Sequence, residues 1–357
     1  MYPLAIDVKL LGVIHTQFSP DKKCASRPPR ARCRRRRRRS GSPILLNLFP
    51  HSTPWPSSGP WRKVGAGENL GGRPMSAATA TASWRHIEVE PLAPSLGAVI
   101  RGVDLARPTE AQLEELRSAW AQYLVLTFPD QTLDREAHKA FGRAFGTLHV
   151  HPLNHARGGD DEILVVKTDA NSKYTAGDAW HTDVSCDAIP PLGSALYIKE
   201  VPSNGGGDTL FANMYLAWEA LSESLQAFLV DKFAVHDGAL PYVGAYGVAP
   251  PEGSNYPRNR HPIAPRHPVT GRRLLYVNSG FTSHIEGLKR EESRAILELL
   301  FRHIERNPRF QCRVRWQPGT LTLWDNRCTQ HHALWDYYPE SRYGERVSIV
   351  GEAAPAL

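Results

Sequence analysis

The chain has 357 residues, of which 41% are hydrophobic and 22% charged, enough apolar content to exclude a wholly disordered polymer. No run approaches the ~18 consecutive apolar residues that a membrane-crossing helix needs, so no membrane partner is expected. The net charge of +7 suggests a polyanion binder until it is divided along the chain. Residues 1 to 74 hold 15 Lys and Arg against three acids, a balance of +12, whereas residues 75 to 357 hold 28 against 33, a balance of −5. The globular part is mildly acidic, and no nucleic-acid partner is expected for it.

Residues 1 to 74 carry ten prolines and the unbroken run Arg34 to Arg39, with no sustained period of 2 or 3.6. Such a composition cannot bury a core, so a disordered leader is expected there, and Met75 is the expected true start. Neither a signal peptide nor an amphipathic targeting helix opens the chain. A single domain is expected over 84 to 354. The cysteines Cys24, Cys33, Cys186, Cys312 and Cys328 form no C-x-x-C pair, which argues against a zinc ribbon and a disulfide framework and points to a reducing, cytoplasmic location.

From Trp84 onward, short β-type runs alternate with turn signals. Strands are expected at His86 to Val89, Gly97 to Ile100, Leu124 to Phe128, Glu162 to Val166, Leu192 to Ile198, Arg273 to Val277, Cys312 to Trp316, Gly319 to Trp324 and Arg346 to Val350. Helical periodicity marks Ala111 to Gln122, Arg135 to Phe145, Met214 to Leu221, Ser224 to Asp231 and Arg290 to Asn307. Thr109 with Gln112 fits a capping box, and Asp134 reads as an N-cap. Many short strands with a few outer helices imply a mainly β sandwich or barrel with flanking helices.

Most of the fifteen histidines have no second candidate ligand at a suggestive spacing. The exception is Trp180-His181-Thr182-Asp183: in an extended strand, residues two apart face the same side, so His181 and Asp183 can reach one ion. An imidazole and a carboxylate begin the 2-His-1-carboxylate triad that holds iron(II) and leaves positions open for small ligands. H-x-E pairs occur at His86, His284 and His303 as well, and His303 with Glu305 falls in an expected helix, where residues two apart diverge. The missing histidine is found just after a β run, in Leu321 to Ala333, where His331 and His332 stand side by side.

The assembled set is His181-x-Asp183, Thr209 within Gly205-Gly206-Gly207-Asp208-Thr209, His331, and Arg342 ten intervening residues later. With Gly102-Val103-Asp104-Leu105 near the start and Arg346-Val347-Ser348-Ile349-Val350-Gly351 near the end, the chain resembles the TauD/TfdA family of iron(II)- and 2-oxoglutarate-dependent dioxygenases from about Ile87 to Glu352. The resemblance implies a double-stranded β-helix, the jelly-roll or cupin-like core. It implies that His181, Asp183 and His331 bind Fe(2+). His331 rather than His332 matches the family's spacing to the arginine, and strand alternation lets only one of the two face an ion.

The resemblance further implies that Arg342 pairs with the distal carboxylate of 2-oxoglutarate, with a hydrogen bond from Thr209. The competing role for Arg342 is a surface ion pair with Glu340 or Glu345. Arg346 and His151 match family positions that hold the primary substrate's anionic group, Phe281 is expected to line the pocket, and Asn154 stands where taurine-type members have tyrosine. The implied reaction consumes O2 and 2-oxoglutarate, gives succinate and CO2, and hydroxylates a small anionic substrate. An alkylsulfonate such as taurine, or an alkyl sulfate, would then collapse to an aldehyde with sulfite or sulfate. An aryloxyalkanoate or other carboxylate is the alternative. A non-catalytic metabolite-binding barrel would not need the whole triad, and a zinc hydrolase would have no use for Arg342 and Thr209. A homo-oligomer is compatible with the sequence.

Overall fold

The computed structural model describes residues 84–150 and 160–357, so the expected leader over 1 to 74 lies outside the described residues. The elements follow in chain order. Strands β1 (Glu88–Pro91) and β2 (Ala98–Arg101) precede helix α1 (Glu110–Tyr123); β3 (Val125–Phe128), helix α2 (Arg135–Arg143), β4 (Leu148–His149) and β5 (Leu164–Thr168) come next. Then come β6 (Gly193–Glu200), β7 (Thr209–Asn213), helices α3 (Met214–Glu219) and α4 (Glu223–Leu229), and β8 (Phe233–Asp237). A single π-helical turn at Leu240–Ala245 leads to β9 (Arg258–Pro262), β10 (Thr282–Ile285) and helix α5 (Arg290–Glu305). The chain closes with β11 (Gln311–Val314), β12 (Leu321–Asp325), β13 (Thr329–Ala333) and β14 (Arg342–Ile349). The domain is mainly β with flanking helices, as the pattern of short β-type runs and a few amphipathic segments implies.

Eight strands form one sheet, ordered β1-β2-β3-β12-β6-β14-β4 with β5 also paired to β14. Its two faces do different work because side chains alternate along each strand. One face is apolar and takes the helices: Leu126, Tyr197, Leu323, Val347 and Ile349 pack with Leu116 and Trp120 of α1 and Phe141 of α2. Both helices start where the sequence signals: Thr109 and Gln112 form the capping box, and the Asp134 carboxylate accepts the Ala137 N–H. The opposite face carries Val125, Leu196, Ile198 and Trp324, which join a second core with Phe211 and Ala212 of the three-stranded sheet β11-β7-β13. Phe211 and Trp324, from the two sheets, approach to 5.6 Å between ring centroids. The space between these sheets is where β13 and β14 present their polar side chains.

One expected strand is absent. Leu274 to Val277 are buried, but Arg273 makes only an isolated antiparallel bridge with Arg266, and the N–H groups of Leu274 and Tyr276 bond to Pro265 and Ile263 while that of Leu275 turns to Met214, so no regular strand forms. The strands β7, β8, β9, β10 and β13 carry too many polar or small residues to announce themselves by alternation; β13 reads Thr-Gln-His-His-Ala. Among the described residues, no helix is long and apolar enough to cross a membrane, and Cys186, Cys312 and Cys328 are free and buried.

Candidate active site

His331 comes from β13, and a single β-bridge brings His181 beside it: the His181 N–H donates to the His331 carbonyl at 3.0 Å, and the His331 N–H returns a bond to the His181 carbonyl at 2.9 Å. Asp183 does not lie on a strand with His181, as its spacing had suggested. The chain leaves the bridge into a turn in which Val184 has φ of +46°, a strained value for a β-branched residue. The turn, not strand alternation, aims the carboxylate. Asn326 holds the Asp183 backbone from both sides: its Oδ1 accepts the Asp183 N–H at 2.8 Å, and its Nδ2 donates to the Asp183 carbonyl at 3.0 Å and to the Pro191 carbonyl at 2.9 Å.

The result is a cluster in which ligand atoms of His181, Asp183 and His331 all lie within 4.8 Å of one another. Asp183 Oδ1 is 3.7 Å from His181 Nε2 and 3.9 Å from His331 Nε2. His181 Nδ1 faces the Ala179 carbonyl at 2.8 Å and therefore donates, which leaves the Nε2 lone pair free to bind a metal. A methyl at Gly177, where φ is +87°, would come within 3.0 Å of His181 Cε1, so glycine is needed where that loop passes the ring. Asp183 Oδ2 accepts from Ser194 Oγ at 2.9 Å, and Oδ1 accepts from Arg346 at 2.6 Å. Burial pushes the Asp183 carboxyl up, but Arg346 and the two imidazoles outweigh it and hold the group well below the usual carboxylate range. Burial and the neighbouring His181 hold His331 well below the usual imidazole range, in the neutral form that a metal requires.

His332 faces the other way. It is half-buried and its Nε2 lies 3.0 Å from Asp178, as alternation along β13 requires. The strand also settles the arginines: Arg342 and Arg346, four apart on β14, line the same cavity of about 340 Å³ as the cluster. Arg342 is only 3% exposed and pairs with neither glutamate that the sequence offered it. Glu345 instead receives Arg135, Lys199 and Tyr343, and Glu340 accepts the backbone N–H groups of Ser203 and Asn204. The Nε and Nη2 atoms of Arg342 are buried without a partner. Its guanidinium lies 5.6 Å from the Trp316 ring, and Trp316 Nε1 donates to Thr209 Oγ1 at 3.0 Å. The Thr209 hydroxyl proton is thus free to point toward the space beside Arg342. A Cβ at Gly207, φ +83°, would meet Arg342 Cδ at 3.0 Å, which accounts for one glycine of the run before Thr209.

Phe281 is buried, lines the cavity and lies 6.5 Å from the His181 ring. His151 and Asn154 lie outside the described residues. The sequence did not single out Ser194, which donates to the Asp183 carboxylate, Asn326, which fixes the Asp183 backbone, or Tyr242 and Tyr246, which wall the cavity. Asn326 had a signal, its place in Trp324-Asp325-Asn326-Arg327 just before His331; the others carried none.

This arrangement offers three side chains of metal-ligating type whose ligand atoms converge on a cavity and, in the same cavity, a buried guanidinium without an ion-pair partner. The model of the taurine catabolism dioxygenase TauD, TfdA family matches residues 88–348. An alpha-ketoglutarate-dependent sulfonate dioxygenase of Saccharomyces cerevisiae is 32% identical over 279 residues, 75% of this chain and 68% of that protein. An alpha-ketoglutarate-dependent sulfate ester dioxygenase of Pseudomonas putida is 30% identical over 289 residues, 78% of this chain and 94% of that protein. A taurine dioxygenase structure from Burkholderia xenovorans superposes with a TM-score of 0.64 at 32% identity, covering 75% of this chain and 92% of that one.

Proposed function

Because the chain belongs to the taurine catabolism dioxygenase TauD, TfdA family, we propose that it is an iron(II)- and 2-oxoglutarate-dependent dioxygenase that hydroxylates a small alkylsulfonate or alkyl sulfate, releasing sulfite or sulfate and an aldehyde. The facing sheets are then the two halves of a double-stranded β-helix, a jelly roll whose interior is the site. His181, Asp183 and His331 hold the iron, which fits their free Nε2 atoms and shared carboxylate oxygen. Iron(II) bound there would supply activation of O2, coupled to decarboxylation of 2-oxoglutarate to succinate and CO2.

The chain's own residues do the positioning. Arg342 takes the distal carboxylate of 2-oxoglutarate through its two unpartnered nitrogens, and the Thr209 hydroxyl donates to the same group. Arg346 meets the substrate's anionic head and Phe281 its body, with His151 and Asn154 as further substrate contacts. Trp324, Phe211 and Trp316 line the interior with apolar rings, which strengthens the charge interactions inside it.

The observation that carries this reading is Arg342. A guanidinium buried without a counter-ion costs several kcal/mol unless a ligand completes it, and it lines the cavity that holds the three metal ligands. Stoichiometric succinate release with iron(II), 2-oxoglutarate and a panel of sulfonates and sulfate esters tests it. Absence of any 2-oxoglutarate turnover across the panel would refute it.

A further inference from the structure

The cavity extends past the metal-ligand cluster and Arg342 to a wall built by the strap at residues 240 to 246. Leu240–Ala245 form a single π-helical turn, and Leu240, Tyr242 and Tyr246 face the cavity. The wall is braced. Tyr246 stacks on Tyr174 with centroids 4.7 Å apart and planes at 18°, and its hydroxyl oxygen accepts the Gly177 N–H at 3.0 Å. Tyr242 lies edge-on to Phe281 at 6.1 Å. Such a surface is apolar and already ordered, so it favours an apolar partner at little cost in side-chain entropy.

Charge narrows the choice further. Among the described residues that line the cavity, the charged side chains outside the imidazoles are Asp178, Asp183, Arg342 and Arg346. Asp183 belongs to the metal-ligand cluster and to Arg346, and Asp178 is engaged by His332, at 3.0 Å. Residues 151 to 159 contain no acid. Among the described residues that line the cavity, no carboxylate without a partner is therefore left to meet a cation on the substrate, while Arg346 keeps a buried Nε without a partner.

We propose that the primary substrate is a singly anionic molecule with an extended apolar body, its head on Arg346 and its body against the strap, and that the strap discriminates against zwitterionic aminoalkanesulfonates such as taurine. The proposal rests on the oxygenase reading above and deepens it. A buried ammonium would find no unpartnered carboxylate among the described lining residues, whereas each added methylene would leave water for an apolar wall.

Calorimetric titration of the Mn(II)- and 2-oxoglutarate-loaded chain with ethane-, butane- and hexanesulfonate, hexyl sulfate and taurine tests this, together with succinate release in the iron(II) form. Affinity should rise about two- to fourfold per methylene. Hexanesulfonate or hexyl sulfate should exceed taurine at least about a hundredfold in kcat/KM, and whichever of the two leads identifies the head group. Leu240→Glu, at a half-exposed position that tolerates a polar side chain, should flatten the chain-length gradient. Affinity independent of chain length, or taurine binding better than butanesulfonate, would overturn the proposal while leaving the oxygenase reading intact. Failure of the Mn(II) form to bind 2-oxoglutarate at all would sink both.

Discussion

His181, Asp183 and His331 bring their ligand atoms within 4.8 Å of one another, and so do His267, Asp325 and Cys328, a second wholly buried trio at the far end of β12. Their hydrogen bonds separate them. His267 Nδ1 accepts the N–H groups of Val269 and Thr270 at 3.3 and 3.2 Å, so its proton sits on Nε2 and is donated to Asp325 Oδ2 at 3.1 Å. Arg327 grips both oxygens of the same carboxylate, at 2.9 and 2.6 Å. Burial raises the Cys328 thiol well above its usual range, which keeps it protonated and a poor ligand. In the first cluster the backbone takes the His181 Nδ1 proton, and the Nε2 lone pair faces a cavity. Proximity of donor atoms does not make a metal site; unspent lone pairs and an open side do.

The largest expected effect breaks that symmetry directly. His181→Ala or Asp183→Ala should abolish metal binding and turnover, exceeding the ~10- to 100-fold that loss of an outer-shell partner costs. His267→Ala and Cys328→Ala should leave one metal bound per chain and lower only the melting temperature. Metal titration followed by chromatographic quantification of succinate reads both. A change of stoichiometry in Cys328→Ala would make the second trio a site after all.

Arg342 and Arg327 make the same contrast for cations, one without a carboxylate and one clamped by two bonds to Asp325. Arg342→Met should weaken 2-oxoglutarate by about 3 to 5 kcal/mol, the cost of removing one member of a buried ion pair. The same substitution should raise the melting temperature of the ligand-free chain, because it replaces an uncompensated buried charge with an apolar side chain of similar length. Calorimetry and thermal unfolding of one variant therefore move in opposite directions. A fall in both would show that Arg342 has a partner in the free protein.

How much of this the sequence carried depends on the kind of signal. Strand alternation said that only one of His331 and His332 can face an ion, the spacing to Arg342 in the family that the chain resembles favoured His331, and the two histidines do face opposite ways. The helices were legible because an apolar stripe with a capping residue at its start is a local pattern, as at Thr109 and Asp134. What was not legible is non-local. The Asp183 turn is held by Asn326, 143 positions away, and no local rule places a β-branched Val184 at positive φ. The strap at 240 to 245 is a π-helical turn around Pro241, for which periodicity has no signature. β13 was obscured by its own chemistry, since the polar residues that build the site erase the alternation that would reveal a strand.

Within the second trio, Asp325→Asn should cost about 3 kcal/mol of stability, toward the low end for a broken buried pair because part of the Arg327 side chain reaches solvent. The effect should be pH-dependent with a definite sign. Burial raises the Asp325 carboxyl, but Arg327 and His267 outweigh it and bring the group from 3.8 down to about 2. A depressed carboxylate contributes its full stabilisation above the unfolded value and loses it as pH falls through the folded one. The gap between the native chain and Asp325→Asn should hold down to about pH 4 and close toward pH 2, followed by denaturant titration at each pH. A gap that widens with acid would mean that the carboxylate is not the charged partner.

The smallest expected effect concerns how firmly the first cluster is aimed. Asp183 offers Oδ1 to the two imidazoles and to Arg346, while Oδ2 is tied to Ser194 Oγ, which lies 3.1 Å from Ser348 Oγ. Both serines sit on the large sheet, so this chain of hydroxyls anchors the carboxylate to that sheet. Ser194→Ala removes one hydrogen bond to a charged acceptor, worth about 1.5 to 3 kcal/mol. It should weaken metal affinity about tenfold, near the low end of outer-shell substitutions, because Asn326 still holds the Asp183 backbone. Ser194→Thr should restore affinity if its hydroxyl reaches the carboxylate, whereas a purely steric role for Ser194 would make threonine worse than alanine.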